Sequence, residues 1–148
     1  MYERMVKEVM QRELVTCLVT TPIDHVMRRL VEYGVHALVV VDEDGYAIGI
    51  VSQTDVLLAY RARPAAEAAP QRAGEIMSSE LITCAPAATL LEAVTLMTRN
   101  HIHRLVVAKP DSGHVYPLGI LSMTDIIRHL NNERSIPVAP RLQVANVL

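Results

Sequence analysis

Gly49-Ile50-Val51-Ser52-Gln53-Thr54-Asp55 returns 70 residues later as Gly119-Ile120-Leu121-Ser122-Met123-Thr124-Asp125. In both copies an apolar strand end runs into two hydroxyls and a carboxylate, and a helical pattern follows. Hydroxyls ahead of a helix, with free backbone N–H groups behind them, suit a phosphate. A carboxylate accepts two hydrogen bonds and so suits a ribose diol. The glycine three residues before the serine permits a close backbone approach or a tight bend. Ser-x-x-Asp before an apolar helix is also a capping pattern, and a single copy favours that reading. Capping needs neither the second hydroxyl nor the glycine, and both copies keep them, which weights the pair towards a ligand.

Working outward, the duplication covers most of the chain. Glu75, Met77, Glu80, Leu81, Thr83 and Cys84 repeat Glu8, Met10, Glu13, Leu14, Thr16 and Cys17 at an offset of 67. His103, Leu105, Val106 and Val107 repeat His36, Leu38, Val39 and Val40 at the same offset. Beyond them the offset becomes 70, which predicts a second turn, between Lys109 and Pro117, three residues longer than the first. Identity at this many positions under one register marks an internal repeat. Each unit reads strand-helix-strand-strand-helix. The strand at Leu14 to Val19 precedes a helix from Pro22, with Thr21 as its cap and Gly34 as its stop. Two further strands flank Asp42-Glu43-Asp44-Gly45, a hairpin signal. In the second unit Thr89 and Glu92 form a capping-box pattern. Residues 2–10 have helical apolar spacing, at Tyr2, Met5, Val6, Val9 and Met10. The expected division is a first repeat at 6–61, a Pro- and Ala-rich linker at 62–72, a second repeat at 73–131 and a tail at 132–148. Units this short expose an apolar face when alone, so the two are expected to pack about a pseudo-twofold axis.

Composition narrows the function. Aromatics are 3% of the chain, which argues against a stacking surface for single-stranded nucleic acid. The formal charge of -2 gives no basic field for nucleic acid or an anionic membrane. No apolar run approaches the length of a membrane span and no leader pattern opens the chain, so a cytoplasmic protein is expected. Cys17 and Cys84 fit neither a metal knuckle nor a disulfide framework and read as buried, reduced thiols. Six histidines lie at no recognised metal-ligand spacing, so no metal or cofactor is expected. Met27 and Met97 fall on apolar helix faces and read as core; Met123, inside the motif, faces a ligand or a partner.

The run Val39-Val40-Val41-Asp42-Glu43-Asp44-Gly45-Tyr46-Ala47-Ile48-Gly49-Ile50-Val51-Ser52-Gln53-Thr54-Asp55 and its second copy resemble CBS domains, the module named after cystathionine β-synthase. The resemblance implies an α/β (α+β) fold of two β-α-β-β-α repeats forming one compact Bateman module. It implies two clefts that hold adenine nucleotides (AMP, ADP or ATP) or a related adenosyl compound. Asp55 and Asp125 match the family's ribose-binding aspartate. Ser52, Thr54, Ser122 and Thr124 match hydroxyls beside phosphate or ribose. Thr16, Cys17 and Leu18, and Thr83, Cys84 and Ala85, match first-strand backbone that edges the adenine. The resemblance also implies a flat homodimer; an unidentified regulated protein is expected as partner, and, from the composition, no nucleic acid and no membrane.

The two clefts are expected to differ. His101-Ile102-His103-Arg104-Leu105 resembles the His-Arg-Leu stretch of γ subunits of AMP-activated kinase, where basic side chains reach phosphate. Arg104 opens a strand and its planar guanidinium can fork onto phosphate oxygens. The first repeat keeps His36 but has Ala37 at the equivalent position. Val19 stands where Pro86 ends the corresponding strand, which weakens the first adenine edge. The stronger site is therefore expected at Thr83, Cys84, Ala85, His103, Arg104, Ser122, Thr124 and Asp125. The weaker is expected at Thr16, Cys17, Leu18, His36, Ser52, Thr54 and Asp55. No nucleophile has a positioned base, so a regulatory binding module is expected rather than an enzyme. The alternative is a structural dimerisation module with vestigial clefts.

Overall fold

The structure, a computed structural model, describes residues 3–62 and 71–133. Most of the expected linker and tail lie outside the described residues. The first repeat runs β1 (Thr16–Leu18), α1 (Ile23–Tyr33), β2 (Ala37–Val41), β3 (Ala47–Ser52) and α2 (Gln53–Ala62). A short helix, α3 (Ala73–Ile76), leads into β4 (Thr83–Cys84), α4 (Leu90–Arg99), β5 (Arg104–Asp111), β6 (His114–Ser122) and α5 (Met123–Glu133). Each repeat has a three-stranded sheet, ordered β1-β2-β3 or β4-β5-β6. The first strand is parallel to the second and the second pairs antiparallel with the third. The helices cover one face of each sheet. The other faces meet, with Val39 and Ala47 packed against Val106 and Ala108 among Leu14, Ile50, Leu81 and Ile120. This shared apolar layer makes one body of the two repeats, as the short units require.

Local signals are mostly realised. Gly34 ends α1 at φ 60°, where a glycine carries no Cβ penalty. The Thr89 hydroxyl accepts from the Glu92 N–H at 3.1 Å, and the Glu92 carboxylate accepts from the Thr89 N–H at 2.8 Å, completing the capping box. Asp42 closes the first hairpin by accepting from the N–H groups of Asp44 and Tyr46, both at 2.9 Å. Thr21 differs: α1 begins at Ile23, and the Thr21 hydroxyl instead accepts from the Leu18 N–H at 2.9 Å, closing the turn that leaves β1. The three extra residues of the second hairpin lengthen its strands rather than its loop. Pairing continues to Asp111 opposite His114, and Ser112 and Gly113 alone turn the chain, both at positive φ.

The segment ahead of β1 does not form the helix that its spacing suggested. Among the described residues ahead of β1, only Val6–Glu8 makes a helical turn, of the 3₁₀ type. Its N–H groups are used elsewhere: Val6 donates to the Ala88 carbonyl at 2.8 Å and Lys7 to that of Pro86 at 2.9 Å. Val6 and Met10 are buried in the core of the second repeat, against Leu90, Met97, Leu105 and Leu121. The equivalent segment of the second repeat does the reverse. Ala73 donates to Thr21 at 2.8 Å and Gly74 to Val19 at 2.9 Å, while Ala73, Ile76 and Met77 pack on the first core. Each repeat thus lends its leading segment to the other. Val19 and Pro86 supply the same carbonyl in this exchange, so the substitution of valine for proline does not break it.

The exchange explains the motif glycines. Gln11 and Ile120 trade backbone hydrogen bonds at 2.8 and 3.0 Å, and Ile50 and Ser78 do so at 3.0 and 2.9 Å. A Cβ on Gly119 would stand 2.6 Å from the Gln11 carbonyl oxygen, and one on Gly49 would stand 2.9 Å from that of Ser78. The close approach that glycine permits is to the other repeat's backbone. Cys17 and Cys84 are buried free thiols, and burial pushes both up to about 11.

Candidate functional site

Both motifs sit at a helix start, as their spacing predicted. The first N–H of α2 donates to the His36 carbonyl at 3.0 Å, and that of α5 donates to the His103 carbonyl at 2.9 Å. Ser52 and Ser122 are the caps: their Oγ atoms accept from the Asp55 and Asp125 N–H groups at 3.2 and 3.1 Å. The aspartates answer by accepting from the serine N–H groups at 2.8 and 2.9 Å. The serine–aspartate pairs therefore form reciprocal caps. This use occupies one carboxylate oxygen, Oδ2, in each. Thr54 and Thr124 take no part; both are exposed, and neither hydroxyl has a hydrogen-bond partner among the described residues.

Around Asp125 the elements enclose a cavity of about 520 Å³. Its wall gathers His103, Arg104, Ser122, Thr124 and Asp125 from the second repeat. His36 and Ala37 join them from the start of β2, so His36 borders the Asp125 cavity as well as belonging to the first motif's repeat. Thr83, Cys84 and Ala85 are not on this wall. The segment that borders Asp125 in their place is Gln11 to Val15, brought across by the exchange, with Gln11, Glu13 and Val15 on the lining. Each first strand still pairs within its own repeat; it is the segment ahead of it that crosses, and nothing local signals this. Tyr33, at the end of α1, and Arg128, one turn into α5, also line the cavity and were not singled out by the motifs. Arg128 follows Asp125 by three residues on one helix face, the spacing at which opposite charges on a helix meet.

Asp125 is 8% exposed and needs its charge compensated. Its Oδ1 accepts from Gln11 Nε2 at 3.1 Å and lies 3.4 Å from the Arg128 guanidinium. Arg104 stands opposite Ser122 across the hairpin and is half-buried. It has no hydrogen bond or ion pair from its side chain among the described residues, and burial lowers its pKa below the ordinary value. A desolvated, unpaired guanidinium on a cavity wall is a place for an anion, because bidentate oxygen acceptors recover what desolvation costs.

The Asp55 site is built on the same frame with different walls. Ser78 occupies the position of Gln11, Ala37 that of Arg104 and Leu58 that of Arg128. Asp55 is only partly buried, and the Ser52 hydroxyl donates to its Oδ2 at 3.0 Å in addition to the Ser52 N–H. The first-strand backbone of this repeat is already engaged: the Thr16 carbonyl accepts from Arg29 at 2.5 Å and the Leu18 N–H donates to Thr21. Cys17, between them, is buried in the core.

Comparison with known proteins agrees with this architecture. The model of the CBS domain family matches residues 6–62 and 73–132. The 5'-AMP-activated protein kinase subunit gamma-3 of Sus scrofa is 30% identical over 125 residues, covering 80% of this chain and 24% of that subunit. The chain thus spans about a quarter of that relative's length. Among solved structures, the CBS domain pair of protein MJ0100, in complex with 5'-methylthioadenosine and S-adenosyl-L-methionine, superposes with a TM-score of 0.77. It is 22% identical, over 88% of this chain and 98% of that one. A CBS-domain protein of Agrobacterium tumefaciens gives a TM-score of 0.72 at 24% identity, over 85% of this chain and 98% of that one. Two tandem family matches, the paired sheets and the shared fold place the chain in the CBS domain family, as a tandem pair.

Proposed function

We propose that this chain is a regulatory module that binds an adenine nucleotide (AMP, ADP or ATP) or a related adenosyl compound in the Asp125 cavity, and passes the bound state to a partner protein. The observation that carries the reading is Arg104. It is half-buried and without a partner among the described residues, on the same wall as the unpaired Thr124 hydroxyl and the Asp125 carboxylate. In this reading Arg104 and the hydroxyls take phosphate, His36 and His103 flank it, and Asp125 takes the ribose. The named ligands of the MJ0100 pair, both adenosyl compounds, support the choice of adenosine. CBS domain pairs are regulatory rather than catalytic modules, and the cavity's groups bind and orient without a nucleophile beside a base. Val31, Leu57, Leu91 and Ile127 expose large apolar surface on the helices, which supports a homodimer as the unit that transmits the change. The cytoplasm, where adenine nucleotides are plentiful and thiols stay reduced, is the proposed location.

A specific observation favours a weaker role for the first cleft. The Asp55 carboxylate is turned onto Ser52 by two hydrogen bonds at 2.8 and 3.0 Å, and no arginine stands at position 37. Calorimetry with AMP, ADP, ATP and S-adenosylmethionine on the wild-type chain, Asp55→Ala and Asp125→Ala tests both statements. Asp125→Ala abolishes the tightest binding event and Asp55→Ala leaves it within about twofold, a change of well under 1 kcal/mol. Binding lost in Asp55→Ala alone reverses the ranking. A wild-type chain that binds none of the four compounds leaves the vestigial, dimerisation-only module as the better account.

A further inference from the structure

We infer that Gln11 is the specificity-determining residue that reads the sugar of the ligand, acting with Asp125 across the boundary between the repeats. The inference rests on the adenosyl reading of the Asp125 cavity and adds to it a residue from outside both motifs. Gln11 lies on the cavity wall and its Nε2 donates to Asp125 Oδ1 at 3.1 Å. Its backbone is fixed by the two hydrogen bonds to Ile120, at 2.8 and 3.0 Å, and its carbonyl is held tight above Gly119. The other partner of Oδ1 is held loosely. Arg128 approaches at 3.4 Å and its side chain is 61% exposed. Gln11 is also exposed, but its shorter hydrogen bond and pinned backbone make Arg128 the partner that an incoming hydroxyl displaces first.

The chemistry then follows from the donor and acceptor inventory. An ionised carboxylate only accepts, so Asp125 alone holds the two hydroxyls of a diol as donors. The Gln11 amide adds an acceptor, its Oε1, which has no partner among the described residues, and keeps Asp125 in one rotamer through its Nε2. Together the pair presents a fixed row of polar atoms that a cis-diol satisfies and a deoxy sugar leaves partly unmet. A site built to hydrogen-bond a hydroxyl disfavours the analogue that lacks it, and here the buried group left less well met is the Asp125 carboxylate that Gln11 positions. Ser78, at the equivalent position beside Asp55, is shorter by two heavy-atom links and holds no hydrogen bond to that carboxylate. The sugar-reading pair therefore exists in the second cleft and not in the first.

The test is calorimetry with AMP, 2'-deoxy-AMP, 3'-deoxy-AMP and adenosine on the wild-type chain, Gln11→Ser and Arg104→Ala. Gln11→Ser copies the first repeat and keeps the backbone bridge; a single cooperative urea transition with the wild-type slope confirms that it folds. The wild-type chain prefers AMP over at least one deoxy analogue by about tenfold, the weight of one hydrogen bond to a charged group. Gln11→Ser keeps the Asp125 carboxylate and loses the amide, so it lowers that preference by about threefold or more and leaves the preference for AMP over adenosine intact. Arg104→Ala does the opposite, lowering the preference for phosphate and sparing that for the diol. A Gln11→Ser chain that weakens all four ligands in proportion, or keeps the diol preference, overturns the role of Gln11 while the nucleotide reading stands. A wild-type chain that binds AMP and both deoxy analogues equally does the same. A wild-type chain that binds none of the four removes the nucleotide reading, and the inference with it.

Discussion

The surroundings of Asp55 and Asp125 share a frame and differ in the side chains placed on it. Every backbone bond that carries a leading segment across to the other repeat has its partner: Val6 to Ala88 matches Ala73 to Thr21, and Lys7 to Pro86 matches Gly74 to Val19. The reciprocal caps at Ser52 and Ser122 match as well. Against this frame, Gln11 stands opposite Ser78, Arg104 opposite Ala37 and Arg128 opposite Leu58. The difference follows from what each class of residue answers to. Frame positions pack in a pseudo-symmetric interior, where a change of volume on either side is felt. Gln11, Arg104 and Arg128 line the Asp125 cavity and are not tied into that packing, so they are free to differ from their counterparts, and the proposed binding residues fall where the symmetry fails.

The comparison breaks first if the frames are unequal. Leu38 and Leu105 are equivalent core residues, 0% and 1% exposed. Leu38→Ala and Leu105→Ala are each expected to cost about 2–5 kcal/mol, through lost burial and the cavity left behind. Urea unfolding should show one cooperative transition in both, because the sheets share an apolar layer. Two separated transitions would show the repeats to be independent units. A smaller effect sharpens the role of the exchange. Gly119→Ala places a methyl 2.6 Å from the Gln11 carbonyl oxygen, whereas the nearest atom at Gly49 is the flexible Met77 Sδ, also at 2.6 Å. A backbone atom gives way less readily than a thioether. Gly119→Ala is therefore expected to cost about 1–3 kcal/mol, and Gly49→Ala less, by the same urea measurement. Equal losses would mean that the Ser78 carbonyl, not Met77, sets the limit at Gly49.

The sequence declares the frame because duplication and local chemistry both report on it. Gly34, the Thr89–Glu92 box and the Asp42 turn work through neighbours a few residues away, and they appear where their patterns place them. The exchange is silent for the opposite reason. Val6 and Met10 have helical spacing, yet their partners Leu90 and Leu121 lie in the other repeat, so apolar periodicity registers burial without saying against what. The same silence hid Gln11, which belongs to no motif and meets Asp125 only after the crossing. It also left Thr83 to Ala85 off the wall of the Asp125 cavity, since the segment there arrives from the first repeat. Arg104 was legible because a charge opening an otherwise apolar strand is conspicuous beside the alanine of the other copy.

Arg128→Leu makes the smallest change and asks what the extra cation beside Asp125 does. The substitution copies Leu58 of the first repeat, which is itself 47% exposed, so the helix surface accepts the residue. The ion pair it removes joins a buried carboxylate to a mostly exposed guanidinium at 3.4 Å. Such a pair is screened by water on the arginine side, and its worth is set by that side. Asp125 keeps the Gln11 amide at 3.1 Å and the Ser122 N–H at 2.9 Å, so its charge is not stranded when Arg128 goes. The expected loss is about 0.2–1 kcal/mol, shrinking further in 1 M salt as surface charges are screened. A loss above about 3 kcal/mol, the range for breaking a buried pair, would show that Arg128 compensates Asp125 in earnest and that Gln11 does not suffice. That outcome would shift the difference between the clefts from the crossing segment to the helix α5.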